Sequence, residues 1–170
     1  MSVISSFAAV ARHDARVLIL GSIPGIASLD ALRYYNHPRN VFWNIIFDFF
    51  GVPLSADYEL RLEFLREKRL ALWDVLAQCV REGSLDASIQ RGSESANDIP
   101  ALIECLPSVH TICLNGAAAG SLFRRYFGKD KRIQHLNLHQ LPSTSPANAR
   151  LRYDEKFELW SKCLSGALQG

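Results

Sequence analysis

At 170 residues, 48% hydrophobic and 21% charged, with a formal net charge of +2, the chain has the make-up of one globular domain over residues 1–170. A chain this long buries roughly 68–70% of its unfolded surface, so neither disulfides nor a structural metal is required. The mild charge excludes a strongly basic coat protein for nucleic acid and leaves room only for a local basic face.

Taken along the chain, an apolar run ending in glycine predicts a buried strand over 16–21. A dense apolar and aromatic face over 40–50 stops at Gly51 as a helix does, and a more polar helix follows over 57–68. Residues 70–73 read as a short strand continued by a helical turn through Val80. A helix over 97–106 has Asn97 or Asp98 as its cap, with Pro100 in its first turn. Residues 109–114 alternate and branch like a strand, and Gly116 opens a helix over 117–127. Residues 132–138 are expected to form the last strand, and an amphipathic helix over 153–168 follows it. Strands alternating with helices imply an α/β fold, a three-layer αβα sandwich around a short four-stranded parallel sheet.

The amino terminus has no basic segment followed by an apolar stretch, and no run of residues is long and apolar enough to span a bilayer. A cytoplasmic protein with reduced thiols is therefore expected, nucleoid-associated if the cell is prokaryotic. Cys79, Cys105, Cys113 and Cys163 are widely spaced, without a CxxC pair, and read as small buried hydrophobes. His135 and His139 are too loosely placed for a metal pair, and no HExxH or PCxxC signature of a zinc enzyme occurs. No metal and no cofactor are expected.

In a parallel sheet, ligands bind outside the carboxyl ends of the strands. Two polar, Gly/Pro-rich loops stand there: Gly21-Ser22-Ile23-Pro24-Gly25 after the first strand, and Leu141-Pro142-Ser143-Thr144-Ser145-Pro146 after the last. The glycines permit tight turns and a close backbone approach to a ligand. The first loop leads within about a dozen residues to Tyr34-Tyr35-Asn36-His37-Pro38-Arg39-Asn40-Val41-Phe42-Trp43. Joined in this way, with WDVLAQCVREGSLDASI, Leu114-Asn115-Gly116 and LPSTSPANA in order behind them, the motifs resemble the uracil-DNA glycosylase superfamily, closest to its hypoxanthine-DNA glycosylase family.

That resemblance implies a monofunctional DNA glycosylase that flips a deaminated base (hypoxanthine, with uracil or xanthine as alternatives) from double- or single-stranded DNA, working as a monomer. It places Asn40 at catalysis, aiming a water at the sugar C1′. Taken alone, Asn40 reads as the cap of the helix that follows, and the two roles are compatible. Gly21, Ser22, Ile23, Pro24 and Gly25 would form the wall of the base site. Tyr35 would stack on the base, or else be a half-buried core tyrosine. Asp74 would accept the N1–H of hypoxanthine, or else cap a helix. Ser28, Arg39, Ser143, Thr144, Ser145 and Arg150 would meet the DNA backbone, and Arg152 lies close by. His37 reads as structural or as a neighbour of a phosphate, and Asn115 as a turn residue.

The chain departs from the superfamily pattern at Ile23 and Leu141, where relatives carry polar catalytic groups. A catalytically weak protein that binds damage without cleaving it is therefore the alternative reading. A nucleotide-binding α/β protein has little support, because neither GxxxxGK[ST] nor GxGxxG occurs.

Overall fold

The computed structural model describes residues 2–169. Its main sheet is fully parallel, ordered β3-β2-β6-β7 from β2 (Val17–Gly21), β3 (Leu70–Asp74), β6 (Thr111–Asn115) and β7 (Asn137–Leu141). The register pairs Gly21 with Asp74 and Asn115 with Leu141, so all four strands finish along one edge.

Alternate residues of these strands enter two separate cores. Val17, Ile19, Leu70, Leu72, Cys113 and Leu141 face α2 (Phe42–Phe49), α3 (Tyr58–Glu67) and α6 (Tyr153–Gln169). Leu18, Leu20, Ala71, Ile112 and Leu114 face α4 (Ile99–Cys105) and α5 (Ala117–Phe127). A parallel sheet buried on both faces reads as continuous apolar runs, as LALW and TICL do here. The three-layer αβα sandwich with a four-stranded parallel sheet is thus the observed fold.

The helix ends follow local chemistry. Asp57 Oδ1 accepts from the Glu59 and Leu60 N–H groups, and Asp98 Oδ1 accepts from the Ala101 N–H. Asn40 Oδ1 accepts the Phe42 N–H at 2.9 Å, so α2 begins at Phe42 and not at Asn40.

Two elements correct the expectation from sequence. Residues 76–80 are not a helical turn: β4 (Leu76–Arg81) pairs antiparallel with β1 (Ser2–Ser5) and β5 (Ser95–Ala96) in a second, three-stranded sheet. Leu76, Cys79 and Val80 have helical spacing, but a partner strand more than seventy positions away decides their conformation. The last strand lies at Asn137–Leu141, not 132–138. Ile133 and Leu136 are buried by turns, while the edge strand exposes Asn137, Leu138, His139 and Gln140 and so lacks an apolar pattern. A short helix α1 (Ile26–Ala31), absent from the sequence reading, follows the first loop.

Trp160 is fully buried beneath the sheet edge, and its Nε1 donates to Pro142 O at 3.0 Å. Trp160→Ala is expected to cost about 3–5 kcal/mol, measured by urea denaturation, because both the cavity and the unpaired carbonyl count against the variant.

Candidate active site

The carboxyl ends of all four parallel strands open on one cavity of about 490 Å³. Its floor is the turn Gly21–Gly25 that ends β2. The remaining walls are residues 26–28, the segment 34–40, Asp74 at the end of β3, the loop 84–86, residues 115–118, and the loop 143–147.

Any side chain at Gly21 would have to displace the Asp74 carboxylate. A Cβ there would lie 2.6 Å from Asp74 Oδ1 and 3.0 Å from the Tyr35 hydroxyl. Asp74 is 4% exposed, and its Oδ2 accepts the Ser6 hydroxyl proton at 2.7 Å. Burial pushes its carboxyl up to about 7, helped by the charge of Asp86 and opposed by Ser6 and Arg81. No helix begins at Asp74, because β4 follows it, so the capping alternative is excluded. Tyr35 adopts φ 54° and stacks on Phe42, with ring centroids 4.1 Å apart. Its hydroxyl is buried without a hydrogen-bond partner, and burial, then the charge of Asp74, raises its phenol.

Asn40 lines the cavity while its Oδ1 accepts the Phe42 N–H in the turn before the helix cap Val41, which leaves that oxygen a second lone pair. His37 also lines the cavity; its Nδ1 accepts the Arg39 N–H at 3.1 Å, so the neutral ring carries its proton on Nε2. Arg39 stands exposed at the rim, and Arg150 is exposed beyond the last loop. Arg152 is exposed as well and pairs with Glu155 at 3.8 Å.

The loop after β7 is held from below. Thr144 is fully buried; its N–H donates to Asn115 Oδ1, and its Oγ1 accepts from Asn115 Nδ2, both at 3.0 Å. Thr144 O accepts the Val41 N–H at 3.1 Å, joining this loop to the start of α2. The Thr144 hydroxyl oxygen thus accepts within the scaffold, and the fully buried side chain braces the cavity wall from behind. Ser28 lines the cavity but is only 6% exposed, and its Oγ accepts the Asn36 N–H that shapes the turn at Tyr35. Ser143 and Ser145 remain half-buried on the cavity wall.

Ile23 packs with Leu76 and Cys79 in a small separate cluster, and Leu141 belongs to the main core. Both residues that depart from the superfamily pattern thus fill apolar space. Asp86 and Ser84 line the cavity too, and the sequence carries no local signal for them beyond the GSLDAS stretch itself. Asn115, read there as a turn residue, is a cavity residue that binds Thr144 on both sides of its amide. Among the described residues, no group of three His, Cys, Asp or Glu side chains is arranged to hold a metal ion. No helix among them is long and apolar enough to cross a membrane.

The family model for the uracil DNA glycosylase superfamily matches residues 7–165. A hypoxanthine DNA glycosylase of Methanosarcina acetivorans is 36% identical over 155 residues, covering 89% of this chain and 92% of that protein. One from Methanosarcina barkeri is 34% identical over 147 residues, covering 85% and 87% respectively. A solution NMR structure of a Methanosarcina acetivorans protein is similar with a TM-score of 0.80 and 31% identity, covering 99% of this chain and 100% of that one.

The folded protein keeps the Asp74 proton up to about pH 7, whereas the unfolded chain releases it in the ordinary carboxylate range. Between those limits the unfolded state binds fewer protons, so this group makes stability fall as pH rises. Asp74→Asn cannot ionise and can still accept from Ser6. Its advantage over the wild type is expected to grow from about pH 4 to 7 and to reach on the order of 3–4 kcal/mol, checked by urea titrations at both ends of that range.

Proposed function

Because the chain belongs to the uracil-DNA glycosylase superfamily, we propose that it is a monofunctional DNA glycosylase that extrudes a deaminated base, hypoxanthine first among them, and hydrolyses its N-glycosidic bond. Family membership and the two hypoxanthine DNA glycosylase relatives support the reaction. The observation that carries the substrate is the Asp74 carboxylate, whose Oδ1 is directed over Gly21 at the cavity floor.

An extruded base presents its Watson–Crick edge to the pocket that receives it. Hypoxanthine offers an N1–H, which an ionised carboxylate accepts. Adenine offers a bare N1, which the same carboxylate repels. Tyr35, braced by Phe42, provides the aromatic wall against which the base lies, and such stacking is worth about 1–3 kcal/mol per base. The second lone pair of Asn40 Oδ1 accepts a hydrogen bond from the attacking water and aims its oxygen at C1′. Gly21 to Gly25 let the nucleotide approach the backbone closely, and Ser143, Ser145, Arg39 and Arg150 supply contacts to the phosphates. The protein works as a single domain and a monomer, without a cofactor, on double- or single-stranded DNA in the cytoplasm.

The test is strand scission after alkali on duplexes carrying one deoxyinosine, deoxyuridine or deoxyxanthosine. Cutting at deoxyinosine above the others is the expected result. Tight, damage-selective binding with no abasic product would turn the reading to a damage-binding protein. Asn40→Ala is expected to lower single-turnover cleavage by about 10²–10³-fold with DNA affinity retained. The lost hydrogen bond to the Phe42 N–H costs about 1 kcal/mol of stability, which a melting curve separates from the catalytic loss. Since Asp74 must be ionised to accept N1–H, cleavage at subsaturating protein should rise with pH up to about 7 and then level off. A profile that falls over that range would remove Asp74 as the acceptor.

A further inference from the structure

The loop that follows β4 is clamped onto the first turn. The Ile26 N–H donates to Ser84 Oγ at 2.9 Å, and the Ser22 hydroxyl donates to Asp86 Oδ1 at 2.9 Å. The Arg81 side chain is wholly buried; its Nη2 donates to Pro24 O at 2.6 Å and its Nε to Gly83 O at 2.9 Å. Its Nη1 has no hydrogen bond and lies 3.7 Å from Asp86 Oδ1. One oxygen of Asp86 is therefore fixed by a hydroxyl and backed by a buried guanidinium. The side chain is 35% exposed and opens on the cavity.

A carboxylate in the wall of a cavity that admits a polyanion opposes binding. It repays that cost only where it meets a positive charge or a proton donor. Hydrolysis of an N-glycoside creates both. The sugar gains oxocarbenium character as the base departs, and the attacking water must lose a proton. Both features belong to the transition state and not to the bound substrate, so a group placed for them accelerates the reaction. Ile23, in the same turn, is packed with Leu76 and Cys79, so the carboxylate reaches this part of the cavity from the second sheet instead.

We propose that Asp86 is a second catalytic residue, its carboxylate facing the sugar of the extruded nucleotide. It stabilises the positive charge at C1′ and O4′ and takes the proton of the attacking water. In the balanced step the C1′–N9 bond breaks with its electron pair on the base, and the water oxygen bonds to C1′. One water proton passes to the Asp86 carboxylate. That proton then goes to the departing base anion, which leaves neutral and restores the carboxylate. Asn40 orients the water and Asp86 receives its proton. This inference rests on the glycosylase reading above.

The experiment compares wild type, Asp86→Asn and Asp74→Asn in two measurements. One is single-turnover cleavage of a deoxyinosine duplex. The other is the affinity for two uncleavable duplexes, carrying either a neutral tetrahydrofuran abasic site or a cationic pyrrolidine one. Wild type and Asp74→Asn are expected to prefer the pyrrolidine duplex by about tenfold or more, and Asp86→Asn to bind both alike. Asp86→Asn, with its melting temperature checked, should cleave about 10²–10³-fold more slowly than wild type. Three results would overturn the role: a cationic preference kept by Asp86→Asn, one lost in Asp74→Asn, or wild-type cleavage by Asp86→Asn. The wild-type preference needs no variant to fold, and its absence in a protein that cuts deoxyinosine overturns the role of Asp86 alone. Failure of the wild type to cut any deaminated duplex overturns the glycosylase reading together with it.

Discussion

Thr144 is a buried residue whose amide and hydroxyl are both bound to the side chain of Asn115, while its carbonyl holds the Val41 N–H. These three hydrogen bonds tie together the end of β6, the loop after β7 and the start of α2. A buried polar group left unpaired costs about 1–3 kcal/mol, so the junction is cooperative: loosening one bond exposes the others. The cavity exists because of it. Asn40 precedes the tied Val41, Ser143 and Ser145 flank Thr144, and Tyr35 stacks on Phe42 within the same assembly.

Around that junction the cavity collects charge that works against the fold. Asp74 and Asp86 come from different sheets, and burial raises the carboxyl of each. The charge of Asp86 adds to the cost of ionising Asp74, and Arg81 offsets part of the cost at both. Such an arrangement is destabilising in the empty protein. It gains its use when the site holds a group with a proton to give or a positive charge to receive. The same economy appears at Gly21, where the absence of a side chain leaves room for Asp74 Oδ1 and the Tyr35 hydroxyl to converge.

The residues that depart from the superfamily pattern have a physical explanation in packing. Ile23 completes a cluster with Leu76 and Cys79 that anchors β4 against the first turn, and Leu141 closes the core below the last loop. Moving apolar side chains into these places lets the polar groups come from elsewhere: Asn40 from the segment before α2, and Asp86 from the loop after β4.

The parallel strands β2, β3 and β6, the helix over 117–127, the cap at Asn97 or Asp98, and the two loops at the sheet edge were legible in the sequence. Each depends on neighbours a few positions away, through apolar runs, turn glycines and side chains that bond the next turn of backbone. The motif residues Gly21, Tyr35, Asn40 and Asp74 could be gathered for the same reason, by spacing and by their resemblance to a family. Tertiary structure decided what long-range pairing controls. Residues 76–81 became a strand because Ser2–Ser5 lies beside them, and the polar edge strand Asn137–Leu141 took its register from β6. Folding buried the Ser28 and Thr144 side chains within the cavity wall, and the loop after β4 brought Asp86 to the cavity. No local pattern encodes these outcomes, because the partners that fix them are distant in sequence and meet only when both sheets have formed.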